Sequence, residues 1–146
     1  MRSNRRTGTR PELALRSELH RRGLRYRVDR PIPTGRGRVR PDVAFASAKV
    51  AVFVDGCFWH RCPIHGTQPR RNAAFWMAKL DRNEARDRAN DRALREAGWT
   101  VVRVWEHEAV EIAAGRIQAL VLRSTSRSAT SKLDQRHTAP AGSSVP

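Results

Sequence analysis

Twelve residues, Asp55-Gly-Cys-Phe-Trp-His-Arg-Cys-Pro-Ile-His-Gly66, directly follow the short apolar run Val50 to Val54, and no other stretch limits the fold of this chain as much. The run is β-branched and bounded by polar residues, the pattern of a buried strand. The twelve-residue segment after it is too short to bury a core of its own, yet it crowds Cys57, Cys62 and His65 into a C-x4-C-x2-H spacing. Loops of this kind often fold around zinc, where four sulfur or nitrogen ligands close a tetrahedron. The fourth ligand has to come from His60, His107, His20 or His137. We choose His107, because it comes after a second strand-like segment that can run beside the loop. The competing interpretation is two free thiols and unrelated histidines. Two cysteines do not make a disulfide framework.

The charge balance narrows the partners. Lys and Arg number 29 against 14 Asp and Glu, for a net charge of +15, and every cation except Lys49, Lys79 and Lys132 is an arginine. The planar guanidinium fork suits phosphate oxygens and guanine edges, so a nucleic acid is the expected partner. Residues 1 to 40 hold 13 arginines against Glu12, Glu18 and Asp29, which makes the basic end a candidate contact for DNA or RNA. No apolar run approaches the roughly 20 residues of a membrane span, and the basic N-terminus lacks the apolar stretch of a secretory signal. We expect a soluble, intracellular protein.

Along the chain, residues 1 to 8 read as a flexible basic arm. Thr9-Arg-Pro-Glu12 has the form of a capping box and opens a helix through Leu15 and Leu19 that stops near Gly23. Three strands are expected at Arg25 to Asp29, Asp42 to Phe45 and Val50 to Val54, with a basic loop from Pro31 to Gly37 between the first two and a tight Ala46 to Lys49 turn making a hairpin of the last two. Asn72 to Ala97 contains neither Gly nor Pro and closes at Gly98, which predicts a long exposed helix. Trp99 to Trp105 reads as a buried strand with both tryptophans in the core, and Glu111 to Arg123 as a short helix. From Ser124 onward Ser, Thr, Pro, Gly and Ala predict a disordered tail. The expected order is α, β, β, β, α, β, α.

Two acids stand out. Glu12 shares a helical face with Leu15 and Leu19, and a carboxylate on an apolar face needs a partner. Asp42 opens a strand after a basic loop, where its oxygens can hold a hard cation. Each also has a plain alternative, as a capping residue and a turn acid. Phe58 and Trp59 place two large aromatics in the loop, either for core packing or as wedges between base pairs. Trp76, with Lys79 and Asn83 at helical spacing, can serve the same surface.

Taken in order, Thr9-Arg-Pro-Glu12, Pro41-Asp42, Phe53-Val-Asp-Gly-Cys-Phe-Trp-His60, Phe75-Trp76 with Lys79, Asn83-x-x-Arg86-Asp87 and Gly98-Trp99-x-Val-x-x-Val-Trp-Glu106 resemble the very-short-patch repair (Vsr) DNA mismatch endonucleases over about residues 3 to 123. The resemblance implies an α/β fold of the restriction-endonuclease-like PD-(D/E)XK type, a mixed central sheet flanked by helices with a structural zinc site. The endonuclease domain would occupy residues 9 to 123, between the arm and the tail of 124 to 146. It implies nicking of double-stranded DNA on the 5′ side of the thymine in a T:G mismatch left by deamination of 5-methylcytosine. By motif position Asp42 would be the principal Mg²⁺ ligand, His60 the group that activates water and Glu12 a supporting acid.

The superfamily's second acid falls at Val54 and its lysine at Gly56, so the implied second metal ligand is the Val54 main-chain carbonyl, with Asp55 as a further candidate in another rotamer. Zinc would be held by Cys57, Cys62, His65 and His107. Phe58, Trp59 and Trp76 would enter the DNA, while Lys79 and Asn83 would read the lesion. The implied protein is a cytoplasmic, nucleoid-associated monomer acting in DNA repair, with repair-protein partners open. Two other classes compete: a non-catalytic, zinc-stabilised nucleic-acid-binding module, and a nuclease of another specificity on the same core.

Overall fold

The computed structural model describes residues 8–57, 64 and 71–137, the last ten by backbone alone. Their elements run α1 (Arg10–Arg21), β1 (Arg27–Val28), β2 (Ile32–Thr34), β3 (Gly37–Val39), β4 (Val43–Phe45), β5 (Val50–Asp55), α2 (Ala73–Glu96), β6 (Thr100–Trp105) and α3 (Val110–His137). Apolar runs with β-branched residues set the central strands. β4 and β5 pair antiparallel through the tight turn, Val43 opposite Val52, and β6 joins β5 in parallel, Val54 opposite Val104. A parallel neighbour requires a crossover, and α2 supplies it. The sheet order is β1-β4-β5-β6, antiparallel except for its last pair.

Side chains alternate across this sheet, so its two faces collect different partners. One face places Val43, Phe45, Val50, Val52, Val102 and Val104 against Leu15 and Leu19 of α1 and Ala113 and Ile117 of α3. The other carries Ala44 and Ala51 against Leu94 of α2 and Ile32 and Val39 of the small hairpin, with Phe53, Trp99 and Val101 at its border. The expected mixed sheet flanked by helices is therefore present. Trp99 and Trp105 are half-buried rather than enclosed. No helix among the described residues is long and apolar enough to cross a membrane.

Three expectations need correction. Thr9 and Glu12 do not form the reciprocal capping box: Thr9 makes no side-chain cap, and Glu12 Oε2 accepts from the Gly8 amide at 3.0 Å while its other oxygen takes Arg16. The basic loop from Pro31 to Gly37 holds the β2–β3 hairpin, turning at Gly35-Arg36 with the Thr34 hydroxyl donating to the Gly37 carbonyl at 2.6 Å. Pro33 and Gly37 disguised it, since Pro is confined to strand edges and Gly37 adopts a φ of 116°.

The third concerns the tail expected to be disordered from Ser124, whose backbone stays helical through His137. Thr125 and Ser126 turn their hydroxyls back onto the Val121 and Leu122 carbonyls, and no Gly or Pro interrupts residues 116 to 139. The helix stops at Gly23 and Gly98 occur as read. Both glycines lie at positive φ, and the next amide, Leu24 or Trp99, reaches back to the carbonyl of Leu19 or Leu94.

Candidate active site

Asp42, Val54, Asp55, Cys57 and His107 among the sequence candidates lie at the C-terminal end of β5. β4 accompanies β5 only as far as Val52, whereas β6 continues to Asp55. The edge of β5 beyond Val52 is left open toward β4, and Asp42, the residue before β4, fills it: its Oδ2 accepts from the Val54 amide at 2.7 Å. A strand residue directs its amide and carbonyl to the same side. The Val54 carbonyl therefore faces the Asp42 side, while the Asp55 carbonyl faces β6 and accepts from the Glu106 amide at 2.9 Å.

Glu12 approaches from α1, only 3% exposed. Burial is the largest influence on the Asp42 carboxyl and raises its pKa from the usual 3.8 to about 6. The Val54 amide pulls it down, Glu12 and Asp55 push it up, and Arg16 pulls it down. A half-buried carboxyl under the influence of other carboxylates, beside a main-chain oxygen, is a donor set that fits a hard divalent cation.

A raised carboxyl pKa opposes folding once the group ionises. The stability tied to protonated Asp42 is complete below the unfolded value near 4 and lost as pH rises through about 6. Without added magnesium, the melting temperature of the wild type relative to D42N should therefore fall between about pH 4 and 7. A flat difference over that range would show that Asp42 ionises freely.

Asp55 is committed elsewhere. Its two oxygens accept from Arg103 Nη1 at 2.9 and 3.1 Å, and Arg103 also binds Asp91 through Nε and Nη2 and the Asp87 carbonyl at 3.4 Å. Burial works against the Arg103 charge, but the bond to Asp91 and the fields of Asp55, Asp91 and Asp87 outweigh it and raise its pKa. Its guanidinium also lies 4.4 Å from the Phe53 ring centre. Both Asp55 oxygens are thus turned toward Arg103.

Past β5, Cys57 donates its amide to Glu106 Oε1 at 3.0 Å, and its Sγ lies 3.2 Å from His107 Nδ1. Zn–S and Zn–N bonds of about 2.3 and 2.0 Å put ligand atoms of one tetrahedron roughly 3.5 Å apart, so the buried Cys57 thiol and the exposed His107 imidazole fit a shared zinc. The fold thus brings together two of the four expected zinc ligands across 50 residues. Cys62 and His65 lie outside the described residues, as do His60, Phe58 and Trp59. Among the described residues alone, no cluster of three His, Cys, Asp or Glu side chains could hold a metal.

On α2, Trp76, Lys79 and Asn83 share one face, with the Lys79 ammonium 5.5 Å from the Trp76 ring centre and Asn83 accepting from Arg86 at 3.3 Å. Phe75 packs edge-on against Trp76 and is 57% exposed. Sequence reasoning missed Arg16, Arg103 and Glu106. Arg16 stands one helical turn from Glu12, a spacing that offered a signal.

Comparison with known proteins gives the family. Residues 1–65 match the family model described as DNA mismatch endonuclease Vsr. The Type II nicking enzyme V.NaeI of Lentzea aerocolonigenes is 52% identical over 118 residues, covering 80% of this chain and 71% of the relative. The Type II nicking enzyme V.XorIIP of Xanthomonas oryzae pv. oryzae is 41% identical over 108 residues, 73% of this chain and 76% of its own. The DNA mismatch endonuclease Vsr of Escherichia coli is 37% identical over 98 residues, 65% of this chain and 59% of its own. With its buried acids at the open end of β5 and these relatives, the chain belongs to the Vsr family of DNA endonucleases.

Proposed function

We propose that the chain is a Mg²⁺-dependent endonuclease with a PD-(D/E)XK-type core that nicks double-stranded DNA 5′ of the thymine in a T:G mismatch. The observation that carries this is Asp42, half-buried and bonded to the main chain of Val54 at an open strand edge, with the charge of buried Glu12 acting on it. Asp42 and the Val54 carbonyl would hold the metal, which when bound lowers the charge on the phosphate under attack. His60 would take a proton from the attacking water as its oxygen bonds to phosphorus. The bond to the leaving sugar oxygen breaks, and that oxygen is protonated in turn. Phe58, Trp59 and Trp76 would wedge beside the mismatch, where a poorly stacked wobble pair costs less to open. Lys79 and Asn83 would contact it, and the arginines within residues 2–10 and 36–40 would contact phosphates or a groove.

The relatives V.NaeI and V.XorIIP carry the name nicking enzyme and not mismatch endonuclease, which favours keeping a second specificity in view. Paired duplexes that differ only in T:G against C:G decide between the two. Strand-specific nicking of the T:G duplex alone, with magnesium and not with a chelator, is the expected result. Equal nicking of both duplexes overturns the mismatch assignment.

One structural zinc would be held by Cys57, Cys62, His65 and His107, tying the loop with Phe58, Trp59 and His60 to the end of β6. H107A should then lower both the zinc content and the melting temperature, as coupled metal binding and folding requires, whereas H20A should change neither. Full zinc occupancy in H107A by elemental analysis would remove His107 from the set.

A further inference from the structure

A groove of about 790 Å³ lies at the other end of the sheet from Asp42. Phe45 at the end of β4, His20 near the end of α1 and Thr125 far along α3 border it, whereas Asp42 and Glu12 stand where β4 and α1 begin. Along α1 alone, His20 is about 12 Å from Glu12.

The groove combines two chemistries. Its rim is cationic, for Arg25, Arg27 and Arg30 line it and all three are exposed. Its floor is apolar, formed by Leu24, Tyr26, Phe45 and Val121, with Leu24 and Tyr26 only half-buried. In an extended chain Arg27 and Arg30 would point to opposite faces. Asp29 between them adopts a left-handed φ of 50°, which breaks that alternation and lets both line one groove.

Three gathered cations repel one another unless an anion is set among them. Among the described residues no hydrogen bond or ion pair reaches these guanidiniums, and Asp29 lies 3.7 Å from Arg40 instead. The chain has no acidic segment left to bring in. Of its 14 acidic residues, every one but Asp134 has a described side chain, and none of those lines the groove. Asp134 stands further along α3, about 13 Å beyond Thr125 on the helix axis. The counter-charge therefore belongs to another molecule.

A DNA duplex is convex, and its sugar-phosphate surface has little to lay on an apolar floor. A single extended peptide suits both rim and floor. β1 is the edge of the sheet, and no described strand pairs with its outer side, so its backbone can receive an added strand. Charged side chains on an edge deter strands in general, and arginines leave an acidic one as the exception. We propose that the groove docks an extended acidic segment of a partner protein, whose carboxylates bind Arg25, Arg27 and Arg30 and whose apolar side chain covers Leu24 and Tyr26.

The probe is a library of short random peptides displayed on phage and selected on the full chain at physiological salt. Enriched sequences should place several Asp or Glu around an aromatic or aliphatic residue. As synthetic peptides they should bind R25Q/R27Q/R30Q about tenfold more weakly than wild type, the sum expected of three partly screened ion pairs. R88Q/R92Q/R95Q, which removes the same charge from exposed arginines of α2, should change affinity by less than about twofold.

Saturating duplex should leave the peptide bound, because the groove lies away from the catalytic edge. If no peptide is enriched, or if the enriched ones bind both triple variants alike, the proposal is overturned. Displacement of the peptide by duplex overturns it too, for the groove then holds DNA phosphates. Should R25Q/R27Q/R30Q melt below the assay temperature, R27Q alone is compared, with about a threefold loss expected.

Discussion

D42N should abolish nicking, with a rate at least about a thousandfold below wild type, while binding the same duplex within about tenfold. Losing the charge that holds the metal removes several kcal/mol of transition-state stabilisation, and each 1.36 kcal/mol is a factor of ten. Binding should survive because the proposed contacts of Phe58, Trp59, Trp76, Lys79 and Asn83 do not pass through Asp42. Asparagine is a better replacement than alanine here. Its amide oxygen can still accept from the Val54 amide, so the open end of β5 keeps its partner. Single-turnover nicking beside a binding isotherm checks both halves, and wild-type cleavage by D42N would remove Asp42 from the active site.

The second large effect is on stability. R103M should cost roughly 3 kcal/mol, because it strands the carboxylates of Asp55 and Asp91 after removing their shared cation. For a chain of this size that corresponds to a melting temperature lower by roughly 10 °C. The loss should shrink at low pH, where the stranded acids can take up protons. An unchanged melting temperature at neutral pH would mean that water already compensates these charges.

How much could be read in the sequence depends on how local the causes are. β5, α2 and the stop at Gly98 rest on contiguous runs and one residue type, and they appear where expected. The β2–β3 hairpin could not be read because Pro33 and Gly37 speak for a loop, while the core position of Ile32 and Val39 beneath α2 speaks for strands. The helix beyond Ser124 was hidden by hydroxyl residues that are poor helix formers until they bond to the preceding turn.

The site divides the same way. Glu12 and Asp42 could be singled out because a carboxylate on an apolar face or at a strand end is locally odd. Arg103 looked like the outward residue of an alternating strand, and only the acids brought over it by α2 make it an internal one. Arg16 differs, for its partner Glu12 lies one turn back on the same helix, a spacing visible in the sequence.

The order in which the chain is made gives the open strand edge another meaning. Asp42 and Val54 are synthesised early, yet the strand that steadies the far side of β5 ends at Trp105, and the contacts at Glu106 and His107 lie about fifty residues downstream of their partners. Contacts of such long sequence separation form late, after the loop between them has closed. A ribosome-bound fragment ending before β6 would carry the acidic pocket without the strand that fixes its floor.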